Sequence, residues 1–245
     1  MRSALAQLFL PAECLLCHGL LPFARAADLV CPVCRHRWRA VRPPWCERCG
    51  QPEPHFGPCR LCAEWPPEIE QVRSAVWLDG PARQAVHALK YGGLPRIAAD
   101  LAAVMARHLP DPDPGAVLVP VPLGARRLKH RGYNQSEVLA RALAARWGRR
   151  VRADLLSRVR ETATQTTLTP AARLANVAGA FQTRNAEGGA RNGSAFRVPT
   201  SAFILIDDVF TTGATIASAA RALAHAGATR ILAVTFGRAV IPDFT

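Results

Sequence analysis

Lysine is almost absent from this 245-residue chain, and no cysteine lies beyond Cys62. Lys90 and Lys129 are the only lysines, so arginine supplies the other 29 of the 31 basic residues. No apolar run approaches the ~18–20 residues of a membrane-spanning helix, so no membrane insertion of that kind is expected. Neither GxxxxGKS/T nor GxGxxG occurs, which removes two common glycine-rich phosphate grips. A secretory leader is poorly matched. Met1 to Ala12 holds one arginine and a short apolar stretch, but Pro11, Glu13 and Cys14 end it early. It reads as a short amphipathic helix, and the expected compartment is the cytoplasm.

Against these absences stands a 49% hydrophobic content, enough for a buried core. The formal net charge of +13 favours anionic partners, either phosphates or nucleic acid. A solvated basic surface is the alternative, and heavy arginine and alanine usage is also what a GC-rich genome imposes.

All eight cysteines fall between Cys14 and Cys62, in four CxxC pairs: Cys14/Cys17, Cys31/Cys34, Cys46/Cys49 and Cys59/Cys62. A CxxC knuckle turns two thiolates to one side, and two knuckles complete a tetrahedral four-sulfur site suited to Zn²⁺. Gly19 and Gly50 permit tight knuckle turns. Sequential pairing is the simplest arrangement; interleaved pairing stays open. With four ligands each, two zinc ions are structural rather than catalytic. A cytoplasmic setting disfavours disulfides, no βαβ context supports a redox CxxC, and iron–sulfur ligation stays open as a less favoured alternative to zinc. His18 and His36 read as surface residues. The module also interleaves tryptophan with arginine, at Arg35, Arg37, Trp38, Arg39, Arg42, Trp45, Arg48 and Arg60. That mixture can track a single strand of nucleic acid. The favoured reading is that Trp38 and Trp45 pack the small core while the arginines are exposed.

Trp65-Pro66-Pro67 marks a linker or domain edge, dividing a zinc-binding module (1–65) from a larger domain (66–245). In the larger part, short apolar runs read as strands: Ser74 to Leu78, Ala116 to Val119, Phe203 to Ile206 and Ile231 to Val234. Alanine-rich periodic stretches between them read as helices: Pro81 to Lys90, Ile97 to His108, Ser136 to Trp147 and Thr215 to His225. The alternation predicts an α/β fold, a parallel sheet with helices on both faces. The basic stretch Leu123 to Arg131 and the stretch Arg184 to Thr200, rich in Gly, Asn and Ser, read as loops.

Ile204 to Thr215 is the most informative segment. A strand runs into Asp207 and Asp208, then a turn carries Thr211, Thr212 and Gly213, and Ala214 and Thr215 lead into a helix. Ligands of open α/β sheets bind at such strand ends. Backbone amides from Thr211 to Thr215 suit a phosphate. The two carboxylates can accept from ribose hydroxyls. The run resembles the phosphoribosyl-pyrophosphate (PRPP) motif of type I phosphoribosyltransferases.

Further segments narrow the resemblance: Leu89-Lys90-Tyr91, Val119 to Leu123, Arg126-Arg127, Arg131 to Gln135, and Arg160-Glu161-Thr162 with Gln165, Leu168, Arg173 and Asn176. Together with the four CxxC pairs they are similar to the ComF family. That resemblance implies an N-terminal double zinc ribbon and a type I phosphoribosyltransferase domain. It also implies PRPP with Mg²⁺, and a link to DNA uptake in natural transformation. Pro120 to Leu123 then takes the pyrophosphate-loop position, with Arg126, Arg127, Lys129 and Arg131 beside it. Arg158 to Asn176, including Arg160, takes the closing-loop position. Glu187 to Ser194 looks like an insertion. For Arg126 to Arg131 a solvated basic loop is the competing reading, and for Tyr133 to Gln135 a helix cap. Three functions follow as expectations: a phosphoribosyltransferase, a single-stranded-DNA binder retaining a nucleotide pocket, or a docking protein whose zinc module meets a helicase-like partner. No residue set names the acceptor of the ribose.

Overall fold

A computed structural model of the chain describes residues 11–52, 58–160, 179–183 and 202–240. The start of the chain, most of the expected closing loop and the Gly-rich insertion lie outside the described residues.

The core is a four-stranded parallel sheet. Its strands are β1 (Ile69–Trp77), β2 (Val117–Pro120), β5 (Ala202–Phe210) and β6 (Arg230–Arg238), in the order β1-β6-β5-β2. The two central strands are apolar on both faces because both faces are covered. Ile204 and Ile206 of β5, with Leu232, Val234 and Phe236 of β6, enter one apolar cluster; Phe203, Leu205, Ile231 and Ala233 enter the other. Helices α2 (Gly80–Tyr91), α3 (Ala98–His108) and α5 (Gln135–Trp147) cover the first face, while α6 (Ala214–His225) covers the second. A short antiparallel pair, β3 (Leu156–Arg158) with β4 (Phe181–Thr183), packs beside α6. The expected α/β architecture is therefore present.

Two elements depart from the sequence reading. The basic stretch expected as a loop forms a helix, α4 (Ala125–Arg131). Its arginines, leucine and lysine are good helix formers, and Gly132, at φ 81°, ends it in the left-handed conformation. Strand β5 also runs four residues past Ile206, through both aspartates, because β6 continues to pair with it: Asp207 opposes Thr235 and Val209 opposes Gly237.

The N-terminal module, which includes the short helix α1 (Pro32–His36), wraps the β1 side of the sheet and contributes to both clusters. Trp38 is fully buried and meets Phe236 edge-to-face at 5.1 Å. Trp65 meets Phe210 on the opposite face at 6.0 Å. The outer backbone edge of β1 is taken by the module. Val72 N–H donates to Arg48 O (2.7 Å), Val41 N–H donates to Ala75 O (3.1 Å), and Trp77 N–H donates to Arg39 O (2.8 Å). At the far edge, Leu118 of β2 exchanges backbone hydrogen bonds with Arg150 and Arg152.

The arginines of the module are not uniformly solvent-exposed, as the sequence suggested. Arg35 pairs with Asp100 of α3 at 3.0 Å and with Asp28 at 2.6 Å. Arg48 donates to the carbonyls of Cys62, Trp65, Pro66 and Ile69. Arg37, Arg42 and Arg60 are exposed. Among the described residues, no helix is long and apolar enough to cross a membrane.

Candidate functional site

The cysteines form two clusters in the sequential pairing: Cys14, Cys17, Cys31 and Cys34 in one, Cys46, Cys49, Cys59 and Cys62 in the other. All eight are free of disulfides. Within each cluster the sulfurs lie within 4.8 Å of one another. Four sulfurs bound at ~2.3 Å to one Zn²⁺ sit about 3.8 Å apart along a tetrahedral edge. The separations are 3.8 Å for Cys17–Cys31, 3.8 Å for Cys46–Cys62 and 3.5 Å for Cys49–Cys59. Backbone N–H groups of Cys31 and Cys34 donate to Sγ of Cys14 and Cys31, each at 3.3 Å. Burial pushes the Cys62 thiol up, and the charges of Cys59 and Cys46 push further in the same direction. A dication relieves that repulsion, so both donor sets fit structural Zn²⁺. His18 and His36 are exposed and belong to neither cluster.

The second site lies where β5 runs into α6. Asp208 is 3% exposed, and its Oδ2 meets Lys90 Nζ at 2.6 Å. Burial works against the Lys90 charge, but Asp208 outweighs it and holds Lys90 above its ordinary value. Asp208 is held below the ordinary carboxylate range by the same ion pair, against the effect of burial. Asp207 is half-buried. Its Oδ1 accepts from Ser136 Oγ at 2.9 Å and from the Asp208 N–H at 2.9 Å. Burial, reinforced by the neighbouring charge of Asp208, pushes Asp207 up to about 7. The two carboxylates are thus unlike: one is neutralised by a lysine, and the other sits at the edge of ionisation.

The turn that follows carries Thr211, Thr212 and Gly213. Gly213 caps α6 at φ 77°, and Ala214 and Thr215 open that helix. A Cβ on Gly213 would stand 2.2 Å from Cζ2 of Trp65, so glycine is required there by conformation and by space. Thr212 Oγ1 is buried and has no hydrogen-bond partner among the described residues.

Segments distant in sequence meet here. Tyr133 Oη donates to Leu89 O at 2.5 Å, which joins the Arg131–Gln135 segment to the end of α2. Asn134 caps α5 by accepting from Ser136 N–H, and its Nδ2 donates to Val121 O at 3.1 Å. Val121 N–H donates to Ile206 O at 2.9 Å. Lys90 and Ser136 therefore contact Asp208 and Asp207 directly, while Asn134 and Val121 tie the start of α5 to β5 beside them. Arg131 hydrogen-bonds Gln135 and lies 5.3 Å over the Tyr91 ring. Arg126 and Arg127 sit on the first turn of α4, next to the Val119–Leu123 segment. Arg160 is exposed just beyond β3, where the expected closing loop leaves the described residues. The ion pair of Lys90 and the hydrogen bond of Ser136 were absent from the site read in sequence. Lys90 was visible there only as part of a family segment, with no sign of its partner.

A family model described as a double zinc ribbon domain matches residues 5–63. The chain is 34% identical over 238 residues to the DNA utilization protein YhgH of Salmonella typhi, covering 91% of this chain and 96% of that protein. Identity to YhgH of Escherichia coli K12 is 30% over 236 residues, with the same coverage of each chain. Competence protein ComFC of Bacillus subtilis is 28% identical over 211 residues, covering 82% of this chain and 80% of that one. Because this likeness runs through the cysteine module and the parallel-sheet part alike, the chain belongs to the ComF family.

Proposed function

We propose that this chain binds PRPP at Asp207 to Thr215 and serves DNA utilization as a protein of the phosphoribosyltransferase type. One observation carries the reading. Lys90 and Ser136, from segments far apart in sequence, meet the buried Asp208 and the half-buried Asp207 near the end of β5, shortly before a glycine turn and a twelve-residue helix. Amides of Thr211 to Thr215, at the positive end of α6, hold the 5′-phosphate. Asp207 accepts from a ribose hydroxyl, while Asp208 is neutralised by Lys90. Arg126, Arg127, Arg131 and Arg160 supply positive charge for the pyrophosphate as it departs from the anomeric carbon and an acceptor nucleophile bonds to that carbon in its place. Mg²⁺ bound together with PRPP would supply charge neutralisation at the pyrophosphate.

Calorimetric titration with PRPP and Mg²⁺ tests the site. Asp207→Ala, alone and combined with Asp208→Ala, is expected to weaken binding about tenfold or more, the scale of a lost hydrogen bond to a charged group. Unchanged affinity in the double variant removes the assignment. A second measurement uses the ionisation of Asp207. Its proton is half-retained near pH 7, whereas accepting from a ribose hydroxyl favours the carboxylate. Affinity is therefore expected to rise from pH 6 to pH 8. At pH 7, titrations in buffers of different ionisation enthalpy are expected to show net proton release. A flat pH profile excludes Asp207 from the contact.

A second reading, single-stranded DNA as ligand, is favoured by the net charge of +13 and by exposed Arg37, Arg42 and Arg60. It also agrees with the names carried by the relatives in Salmonella and Bacillus. Fluorescence anisotropy with a labelled oligonucleotide is expected to show affinity falling steeply with salt. No binding at low salt rules this reading out.

A further inference from the structure

The two four-cysteine centres are anchored very differently. The first is tied to the α2–α3–α5 face, where Asp100 of α3 accepts from Leu29 N–H and from Arg35, both at 3.0 Å. The second is tied to the turn between β5 and α6. Three residues after the ligand Cys62 comes Trp65, whose backbone N–H donates to Cys62 O at 3.3 Å. Arg48, from inside the Cys46/Cys49 knuckle, clamps the carbonyls of Cys62 (2.8 Å), Trp65 (3.2 Å) and Pro66 (2.6 Å). The Trp65 ring then lies against Gly213 and crosses Phe210, the last residue of β5. Arg221 of α6 donates to Glu64 O at 3.2 Å, so the helix behind the turn grips the same segment. A third tie comes from Arg238, which is 2% exposed. It donates to the carbonyl of the ligand Cys49 at 3.0 Å and to Gln51 Oε1 at 2.7 Å, and it stacks 4.5 Å from the centroid of Phe210.

We infer that the second four-cysteine centre is a structural part of the Thr211–Thr215 turn, with Trp65 as the positioning residue that transmits zinc occupancy to it. The turn has no wall of its own on this side. Gly213 has no side chain, and the Trp65 ring takes the space in which one would stand. Two buried polar atoms at this junction, Trp65 Nε1 and Thr212 Oγ1, have no hydrogen-bond partner among the described residues. Both can donate, so the junction keeps hydrogen-bonding capacity toward an anion. Where it concerns ligand affinity, the inference rests on the PRPP reading; the mechanical coupling does not. Coupling of this kind is reciprocal: zinc at the second centre stiffens the turn, and a ligand in the turn retains zinc.

The test compares full-length protein carrying Cys17→Ser, which damages the first centre, with Cys59→Ser, which damages the second. Trp65→Ala and Trp65→Phe leave all eight thiolates in place. Hydrogen exchange of the amides at Thr211 to Thr215 is read first, without ligand. Exchange is expected to quicken about fivefold or more in Cys59→Ser and Trp65→Ala, but less than about twofold in Cys17→Ser. Trp65→Phe, which keeps a ring at the junction, is expected to restore the wild-type rate. Equal acceleration by the two cysteine variants, or none with Trp65→Ala, overturns the inference. Should Cys59→Ser fail to fold, the two Trp65 variants decide it. PRPP with Mg²⁺ is then titrated calorimetrically. Weaker binding in Trp65→Ala but not in Cys17→Ser extends the coupling to affinity. A wild-type protein that ignores PRPP yet shows this exchange pattern removes the PRPP reading and leaves the coupling standing.

Discussion

Stripping zinc from both four-cysteine centres is expected to destabilise the whole molecule as one cooperative unit rather than release an N-terminal appendage. The cause is the way the module enters the core. Cys14, Leu21, Val30, Cys34 and Trp38 belong to the apolar cluster on one sheet face, and Cys49, Leu61, Cys62 and Trp65 to the cluster on the other. Structural zinc in small modules supplies about 10–16 kcal/mol of apparent folding energy at pH 7. Even a third of that lowers the melting temperature by about 10 °C or more in a chain of this size. Scanning calorimetry of loaded and chelated protein is expected to show a single transition that moves down as a unit. Two separable transitions, with the upper one unmoved by chelation, would contradict the packing just described.

The second large effect is expected from Lys90. Replacing it with methionine leaves the Asp208 carboxylate, 3% exposed, without a countercharge. Breaking one half of a buried ion pair costs about 3–5 kcal/mol, whereas removing both halves costs far less. Urea unfolding at pH 7 is expected to show that loss in Lys90→Met and recovery of most of it in Lys90→Met with Asp208→Asn. The pH dependence has a definite sign. In the wild type Asp208 is held below the ordinary carboxylate range, so the pair stabilises the fold above about pH 4. That stabilisation fades as the pH falls through the lowered value. The gap between wild type and Lys90→Met is therefore expected to narrow in acid. A gap that is constant with pH points to lost packing instead.

What the sequence made legible was local chemistry. A CxxC pair declares itself within four residues, and sequential pairing follows from chain proximity. The core strands were visible as apolar runs because the central strands are buried on both faces. The helices α2, α3, α5 and α6 were visible as alanine-rich periodic stretches. Where apolar patterning was weak, the reading failed. Helix α4 buries none of its residues, so it lacked an apolar stripe and passed for a loop. Strand β1 begins five residues earlier than expected, where Ile69 to Arg73 includes charged side chains and the module supplies part of the pairing. The site itself is made of pairings no local pattern contains. Lys90 with Asp208, Ser136 with Asp207 and Trp65 with Gly213 are each separated by more than 70 residues. The Asp-Asp step marked the place but did not reveal that its two members differ in charge. Trp65, read only as part of a linker or domain edge, also packs its ring against Gly213.

The backbone edge of β1 has a further consequence. In the folded chain, Val72 N–H, Ala75 O and Trp77 N–H are all engaged by residues 39–48. A strand whose outer edge is uncovered is a template for another strand of the same kind. Residues 69–77 form a nine-residue strand with valine at positions 72 and 76 and no proline. Loss of metal from the module would bare that edge at the moment the core loosens, and two such chains could then pair strand to strand. A metal-starved preparation is therefore expected to fail first by self-association, seen as concentration-dependent light scattering that zinc added during refolding prevents.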